Sequence, residues 1–277
     1  LVVQNKNGGL YDKFRNRLML PVIDTRGDVV AFGSRVLDKS EPKYMNSSET
    51  PVYSKRRVLY GLNLAKKSKR PNIILCEGNL DIVTLHQAGF DNAVASMGTA
   101  LTVEQTRLLS RFTKELVLCY DNDNAGKIAT ERALQILNGS EFSVKVLQLP
   151  RRLVDGEYIK QDADDFIKLQ GPDAFERLLN GSENGVEFRM AQIAGKYDLK
   201  DDEARIAYCG EVSELLASLP GAVEREIYTG RAAEAAGITA EAMKLEVQRS
   251  FKRRIAREKR AELRKDLNPA MALQPKE

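Results

Sequence analysis

Between Asn72 and Leu149 the sequence alternates short apolar runs with stretches of helical spacing. Residues 73–76, 93–96, 116–120 and 144–149 read as strands, and residues 80–88, 103–111 and 125–137 between them read as helices. Strands separated by helices of this length run parallel, because each helix carries the chain back to the starting edge of the sheet. Ligands of such sheets bind outside the carboxyl ends of the strands. The residues directly after each strand are therefore the first candidates for chemistry.

After two of the four strands those positions are acidic. Glu77 follows the strand at 73–76, with Asp81 soon after, and Asp121 and Asp123 follow the strand at 116–120. Parallel neighbours would bring these carboxylates to one edge, where mutual repulsion raises their pKa unless cations neutralise them. All-oxygen donors of this kind suit Mg²⁺, whose octahedral shell is otherwise completed by water and phosphate. Taken singly, Asp81 and Asp123 are equally explained as acidic residues at helix N-termini. The stretch Asp121-Asn122-Asp123-Asn124-Ala125-Gly126 also opens like a calcium loop. Ala125 and Arg132 stand at its fifth and twelfth positions, however, where that loop needs oxygen ligands.

The flanks differ in composition. Residues 1–70 carry 15 Lys and Arg against 6 Asp and Glu, residues 71–180 carry 11 against 16, and residues 181–277 carry 17 of each. A basic block beside an acidic one with ordered carboxylates suits an enzyme that handles polyanions with bound cations. In the basic block, 18–23 and 29–37 are apolar runs joined by Asp24-Thr25-Arg26-Gly27-Asp28, a hairpin signal. After Pro150 the pattern turns helical, with Asn180-Gly181-Ser182 as a boundary and helical spacing at 186–196, 203–219, 223–236 and 240–263. Cys76, Cys119, Cys209 and the single His86 are too scattered for a local zinc site or a disulfide framework. Cys76 and Cys119 are expected to pack inside the sheet and His86 to be structural. No apolar run approaches the ~18 residues of a membrane span.

Glu77-Gly78-Asn79-Leu80-Asp81 and Asp121-Asn122-Asp123-Asn124-Ala125-Gly126, with Gly98-Thr99-Ala100-Leu101-Thr102 between them, resemble the paired signatures of the Toprim domain. That domain is shared by bacterial primases, topoisomerases and some nucleases. Upstream, Phe14-Arg15-Asn16-Arg17-Leu18-Met19-Leu20-Pro21, Phe32-Gly33-Ser34-Arg35, Pro42-Lys43-Tyr44-Met45-Asn46-Ser47-Ser48-Glu49-Thr50-Pro51 and Leu59-Tyr60-Gly61-Leu62 are similar to motifs that precede Toprim in DnaG-type bacterial DNA primases. Asp162-Ala163-Asp164-Asp165-Phe166-Ile167 resembles the third acidic motif of that family, and Val223-Glu224-Arg225-Glu226-Ile227-Tyr228 its helical C-terminal part. The chain departs from the family at Asn79-Leu80, commonly Tyr-Met, at Asn122, commonly Gly, and at Ala163, commonly Pro. Every carboxylate is retained, and Asn tolerates a left-handed backbone at position 122 better than most residues.

The resemblance implies an α/β fold: a Toprim-type sheet with flanking helices (71–170), preceded by a small basic α+β segment of the polymerase core (1–70) and followed by a helical bundle and linker (171–277). It implies synthesis of short RNA primers on a single-stranded DNA template from ribonucleoside triphosphates, by metal-dependent nucleotidyl transfer. Glu77, Asp121 and Asp123 would be the leading metal ligands and catalytic residues, and Asp81, Asp162 and Asp164 further ligands, for two or more Mg²⁺ ions with Mn²⁺ as the alternative. Lys43 and Lys55, with Arg15, Arg17, Arg35 and Asn46, would contact nucleotide or DNA. Tyr44, Tyr53 and Tyr60 are candidates for base stacking, with at least one expected in the core. The basic stretch 249–265 reads as a linker rather than a nucleic-acid contact. The chain starts at Leu1 and is expected to be an excised, cytoplasmic piece of a replisome protein. Zinc-binding and helicase-binding modules would lie outside it, so the replicative helicase would be met only through a module absent here. Two other readings stand beside this one: a Toprim nuclease or topoisomerase-like enzyme, disfavoured by the basic segment before Glu77, and a metal- and nucleic-acid-binding fragment without activity of its own.

Overall fold

Alternating burial along two adjacent apolar runs produces the first sheet of the protein, a computed structural model that describes residues 2–98, 100–154 and 157–267. Its contacts define two compact units, Leu1–Gly185 and Val186–Glu277. The chain opens with a small antiparallel ribbon, β1 (Val2–Gln4) with β2 (Leu10–Asp12). The expected hairpin follows as β3 (Arg17–Ile23) and β4 (Val29–Val36), and β5 (Tyr44–Asn46) adds a third antiparallel strand. Asp24 closes the hairpin turn, its Oδ1 accepting the N–H groups of Arg26, Gly27 and Asp28 at 2.8, 3.0 and 3.1 Å. This turn needs Gly27, whose φ is +104°. Val22, Ala31, Tyr53 and Met97 pack beneath the sheet in one apolar cluster.

The chain then enters a six-stranded sheet through β6 (Leu59–Tyr60) and the short α1 (Leu62–Ala65). The alternation seen in the sequence follows as β7 (Asn72–Cys76), α2 (Asn79–Gln87), β8 (Ala93–Ser96), α3 (Val103–Leu109), β9 (Glu115–Leu118), α4 (Asn124–Leu137) and β10 (Ser143–Val146). Strands β8, β7, β9 and β10 are mutually parallel, with register pairs Leu75↔Val94, Leu75↔Leu118 and Val146↔Leu118. Successive strand residues face opposite sides. Ile74 and Cys76 accordingly pack with Ile82 and Leu85 of α2, in a cluster that extends to Phe166, Phe175 and Leu179 further along the chain. Cys76 at the end of β7 and Cys119 just beyond β9 are both buried in that cluster, so both pack inside as expected. His86 is structural, its Nε2 2.8 Å from the Ala93 carbonyl.

Beyond Pro150 the structure corrects the expectation of an immediate helical pattern. A hairpin of β11 (Arg152–Val154) and β12 (Glu157–Ile159) comes first. Then follow α5 (Ala163–Gln170), α6 (Pro172–Asn180) and the edge strand β13 (Glu183–Asn184), antiparallel to β10. Helix α6 contributes Phe175 and Leu179 to the core under the sheet. The second unit is helical: α7 (Gly185–Ala194) at the junction, α8 (Asp202–Ala217), α9 (Ala222–Ala236) and α10 (Ala240–Leu267), around a core that includes Tyr208, Leu216, Ala232 and Met243. No helix among the described residues is long and apolar enough to cross a membrane.

Candidate metal centre and its basic surround

Parallel strands deliver the carboxylates to one edge because each strand runs straight into its acidic residue. Glu77 follows β7 directly. Beyond β9 the chain stays extended, Cys119 N–H donating to the Leu75 carbonyl at 2.9 Å, before it reaches Asp121. Asp121 N–H lies 3.4 Å from Glu77 Oε1, so the two strand ends meet. Asp123 is the N-cap of α4, with Oδ1 accepting the Gly126 N–H at 2.8 Å. The loop between them is tight: a Cβ on Gly126 would lie 2.0 Å from the Asp121 carbonyl oxygen, so only glycine fits there. Asn122, where the family commonly has glycine, anchors the loop by donating to the Leu149 carbonyl at 2.6 Å. Its φ is not positive, which removes the conformational concern.

A second acidic group sits at the start of α5. Asp162 caps this helix through the Asp165 N–H at 2.8 Å. Among the described residues, Asp162, Asp164 and Asp165 are the one acidic trio whose ligand atoms lie within 4.8 Å of one another. Asp165 is not among the ligands expected from the sequence; its one signal there is its place in the same short acidic run. Asp81, in the first turn of α2, joins the two groups. Its Oδ1 accepts the Asp164 N–H and its Oδ2 the Gly78 N–H, each at 3.1 Å, and only 7% of the residue is exposed. Thr84 on the same helix donates its hydroxyl to Asp164.

The electrostatics follow from this crowding. Burial and, after it, the charge of Asp121 push the Glu77 carboxyl up, and burial raises Asp121 against the opposing pull of Lys160. Burial, then Asp162, drives Asp81 up to about 7. Asp123 moves the other way, held down first by the Gly126 N–H. Lys160 Nζ stands 3.2 Å from Asp121 Oδ2 and 3.3 Å from Asp123 Oδ2, an ammonium where two carboxylates face each other. Nothing in the sequence singles Lys160 out. Half-buried carboxylates with raised pKa, hard oxygen donors throughout and a cationic side chain drawn between two of them together fit a divalent cation.

The basic candidates divide. Arg35 and Lys43 line a hollow of 570 Å³ beside Leu37 and Ser40, and both lie over the Tyr44 ring, at 5.8 and 5.6 Å from its centroid. Burial raises the Tyr44 phenol, Arg35 opposes this, and Asp81, Asp162 and Asp164 add to it, so this strand is within electrostatic reach of the carboxylates. Asn46 donates to the Met97 carbonyl at 3.3 Å and faces Gly33, fixing the first sheet against the loop after β8. Arg17 is turned to structure, donating to the Pro42 carbonyl at 2.8 Å, and Arg15 lies 5.1 Å over the Tyr11 ring. The loop holding Lys55 is tied to α3 by Gln105, which donates to the Lys55 carbonyl at 3.0 Å. Of the three tyrosines, Tyr53 is a core residue, Tyr60 is half-buried and Tyr44 is exposed. Thr99, in the stretch between the two Toprim signatures, lies outside the described residues.

Residues 1–66 match the model of the DNA primase catalytic core N-terminal domain, and residues 74–167 the Toprim-like model. The catalytic core of the Escherichia coli primase superposes with a TM-score of 0.72 at 34% identity, covering 86% of this chain and 75% of that one. The chain belongs to the DnaG-type bacterial DNA primases. A DnaG primase catalytic domain bound to single-stranded DNA is equally similar, with a TM-score of 0.73, 33% identity and coverage of 87% and 75%. The DNA primase of Clostridium acetobutylicum is 41% identical over 244 residues, 88% of this chain and 39% of that protein. That of Listeria monocytogenes is 36% identical over 257 residues, 91% and 40%. The chain thus spans about two fifths of the length of the curated primases it matches. Residues 186–241 match the DnaB-helicase binding domain of primase. This corrects the expectation that a helicase-binding module lies wholly outside the chain. Its signal is hard to read because the helical spacing of 186–236 serves equally for packing within the unit.

Proposed function

We propose that this chain is the central and C-terminal part of a primase polymerase core, which makes short RNA primers on single-stranded DNA from ribonucleoside triphosphates. The observation that carries the reading is the convergence of Glu77, Asp121 and Asp123 on one sheet edge, with Asp81, Asp162 and Asp164 beside them. Glu77, Asp121 and Asp123 would hold Mg²⁺ or Mn²⁺, with Asp162 and Asp164 completing the set. Divalent ions held there would stabilise the attacking and leaving oxygens of an in-line displacement at an α-phosphate. The chain's own part is positional. Asp121 and Asp123 are fixed by the strand end and the α4 cap, and Lys43 and Arg35 offer cationic groups to phosphates across the 570 Å³ hollow. Lys55 is assigned the same role from its motif.

In this reading the functional segments divide near residues 70 and 170, and the helical part beyond them meets the replicative helicase through 186–241, as the match there suggests. The protein acts in the bacterial replisome. Incubation with NTPs, Mn²⁺ and a single-stranded template tests the proposal: short RNA products are expected. DNA cleavage or relaxation would instead support the nuclease or topoisomerase reading, and binding without products the inactive-fragment reading.

A further inference from the structure

The hairpin β11–β12 does more than connect β10 to α5. Its register pairs Arg152 with Ile159, so the residue that leaves the hairpin is Lys160. The next residue, Gln161, is buried at 2% exposure, and Asp162 then caps α5. Lys160 therefore lies between a paired strand and a buried side chain. Its side chain is 57% exposed, and its ammonium reaches Oδ2 of Asp121 and Oδ2 of Asp123. Asp123 Oδ1 is committed to the α4 cap, which leaves Oδ2 for a cation.

We propose that Lys160 is a counter-ion of the metal centre: it holds Asp121 and Asp123 in place while no divalent ion is bound, and it must be displaced when one binds. The inference rests on the reading of these carboxylates as metal ligands. Two carboxylates this close repel, and a cation between them removes the repulsion. An ammonium at 3.2 and 3.3 Å occupies the same oxygens that a Mg²⁺ ion would draw in to about 2.0–2.1 Å. A Mg²⁺ ion bridging this same pair of oxygens would stand between them where the ammonium stands now, and two cations there repel each other. Lys160 thus orders the site in advance and lowers its affinity for metal. Part of the free energy of metal binding goes into breaking two charge-assisted hydrogen bonds, which are partly solvent-screened because the lysine is half exposed.

Lys160→Met removes the charge and keeps the aliphatic stem; Lys160→Arg keeps the charge. Mn²⁺ titration of the full chain by calorimetry is expected to show tighter binding in Lys160→Met by about 2- to 5-fold, corresponding to about 0.4–1 kcal/mol for a solvent-exposed ion pair. Native affinity is expected in Lys160→Arg. In metal-free protein, Lys160→Met is expected to melt earlier than native, with the difference closing as Mn²⁺ is added. A residue that merely supported the fold would give the opposite sign, weaker metal binding on its loss. Equal or weaker Mn²⁺ binding in Lys160→Met, with the native chain binding normally, overturns the role of Lys160 and leaves the metal centre standing. Absence of Mn²⁺ binding in the native chain overturns both. If Lys160→Met does not fold, Lys160→Gln is titrated in its place: tighter binding than native supports the role of Lys160, and equal or weaker binding overturns it.

Discussion

Asp81→Asn separates two effects that act on one carboxylate. Asp81 is 7% exposed, and burial with the nearby charge of Asp162 raises it from the ordinary 3.8 to about 7. About three pKa units, at about 1.4 kcal/mol each, correspond to an order-of-magnitude 4 kcal/mol of folding stability. The folded protein keeps a proton that the unfolded chain releases between pH 3.8 and about 7. The native chain therefore loses stability as pH rises through that window and levels off above it. Asparagine does not ionise, so the variant is spared this loss. It has one acceptor oxygen where the carboxylate has two, however. Either the Gly78 or the Asp164 N–H goes without a partner, at about 1–3 kcal/mol. Asp81→Asn is thus expected to be less stable than native near pH 4 and, without metal, as stable or more stable near pH 8, with the difference changing sign between. Urea unfolding of the EDTA-treated protein, followed by circular dichroism across that pH range, measures it. A stability difference that stays constant from acid to alkaline pH refutes the reasoning.

Three further outcomes follow from the same geometry. Asp121→Asn and Asp123→Asn should each weaken Mn²⁺ binding by more than about tenfold in calorimetry with the fold retained, because asparagine still serves as an N-cap at position 123; native binding in both would remove these residues from the metal set. Gly126→Ala, whose Cβ would meet the Asp121 carbonyl oxygen at 2.0 Å, should cost several kcal/mol and weaken Mn²⁺ binding although no carboxylate is changed. A melting curve and metal affinity equal to native would show that the loop has room. Lys43→Ala and Lys55→Ala should weaken single-stranded DNA binding several-fold in fluorescence anisotropy, with a smaller deficit at high salt and little change in melting temperature; a lower Tm with unchanged DNA binding would assign both lysines to stability.

How legible the site is depends on where its information is stored. The strands β7 and β9 are readable because four-residue apolar runs of Ile, Leu, Val and Cys bounded by helical stretches admit little else, and Glu77 and Asp121 are placed because the first follows its run directly and the second follows its run after Tyr120 alone. The hairpin β11–β12 escapes a reading by pattern because its strands are three residues each and carry Arg, Glu and Tyr rather than an apolar alternation. Asp81 is expected among the ligands from its spacing, but its two oxygens turn to the backbone of Gly78 and of Asp164, the latter 83 residues away along the chain. Local sequence has no sign for that, since it depends on α2 and α5 packing on the same face of the sheet.

By itself, then, the sequence determined the order of strands and helices between residues 72 and 149, and with it the parallel sheet and the placing of Glu77 and Asp121 after its strands, because each follows from residues adjacent in the chain and from the burial of apolar runs. Tertiary structure alone decided what neutralises that edge: Lys160 reaches Asp121 across 39 residues and Asp123 across 37, and Asn46 reaches Met97 across 51. A side chain's partner across such a distance is set by how the layers close on each other, and charge and hydrogen-bonding capacity say only that a partner is needed.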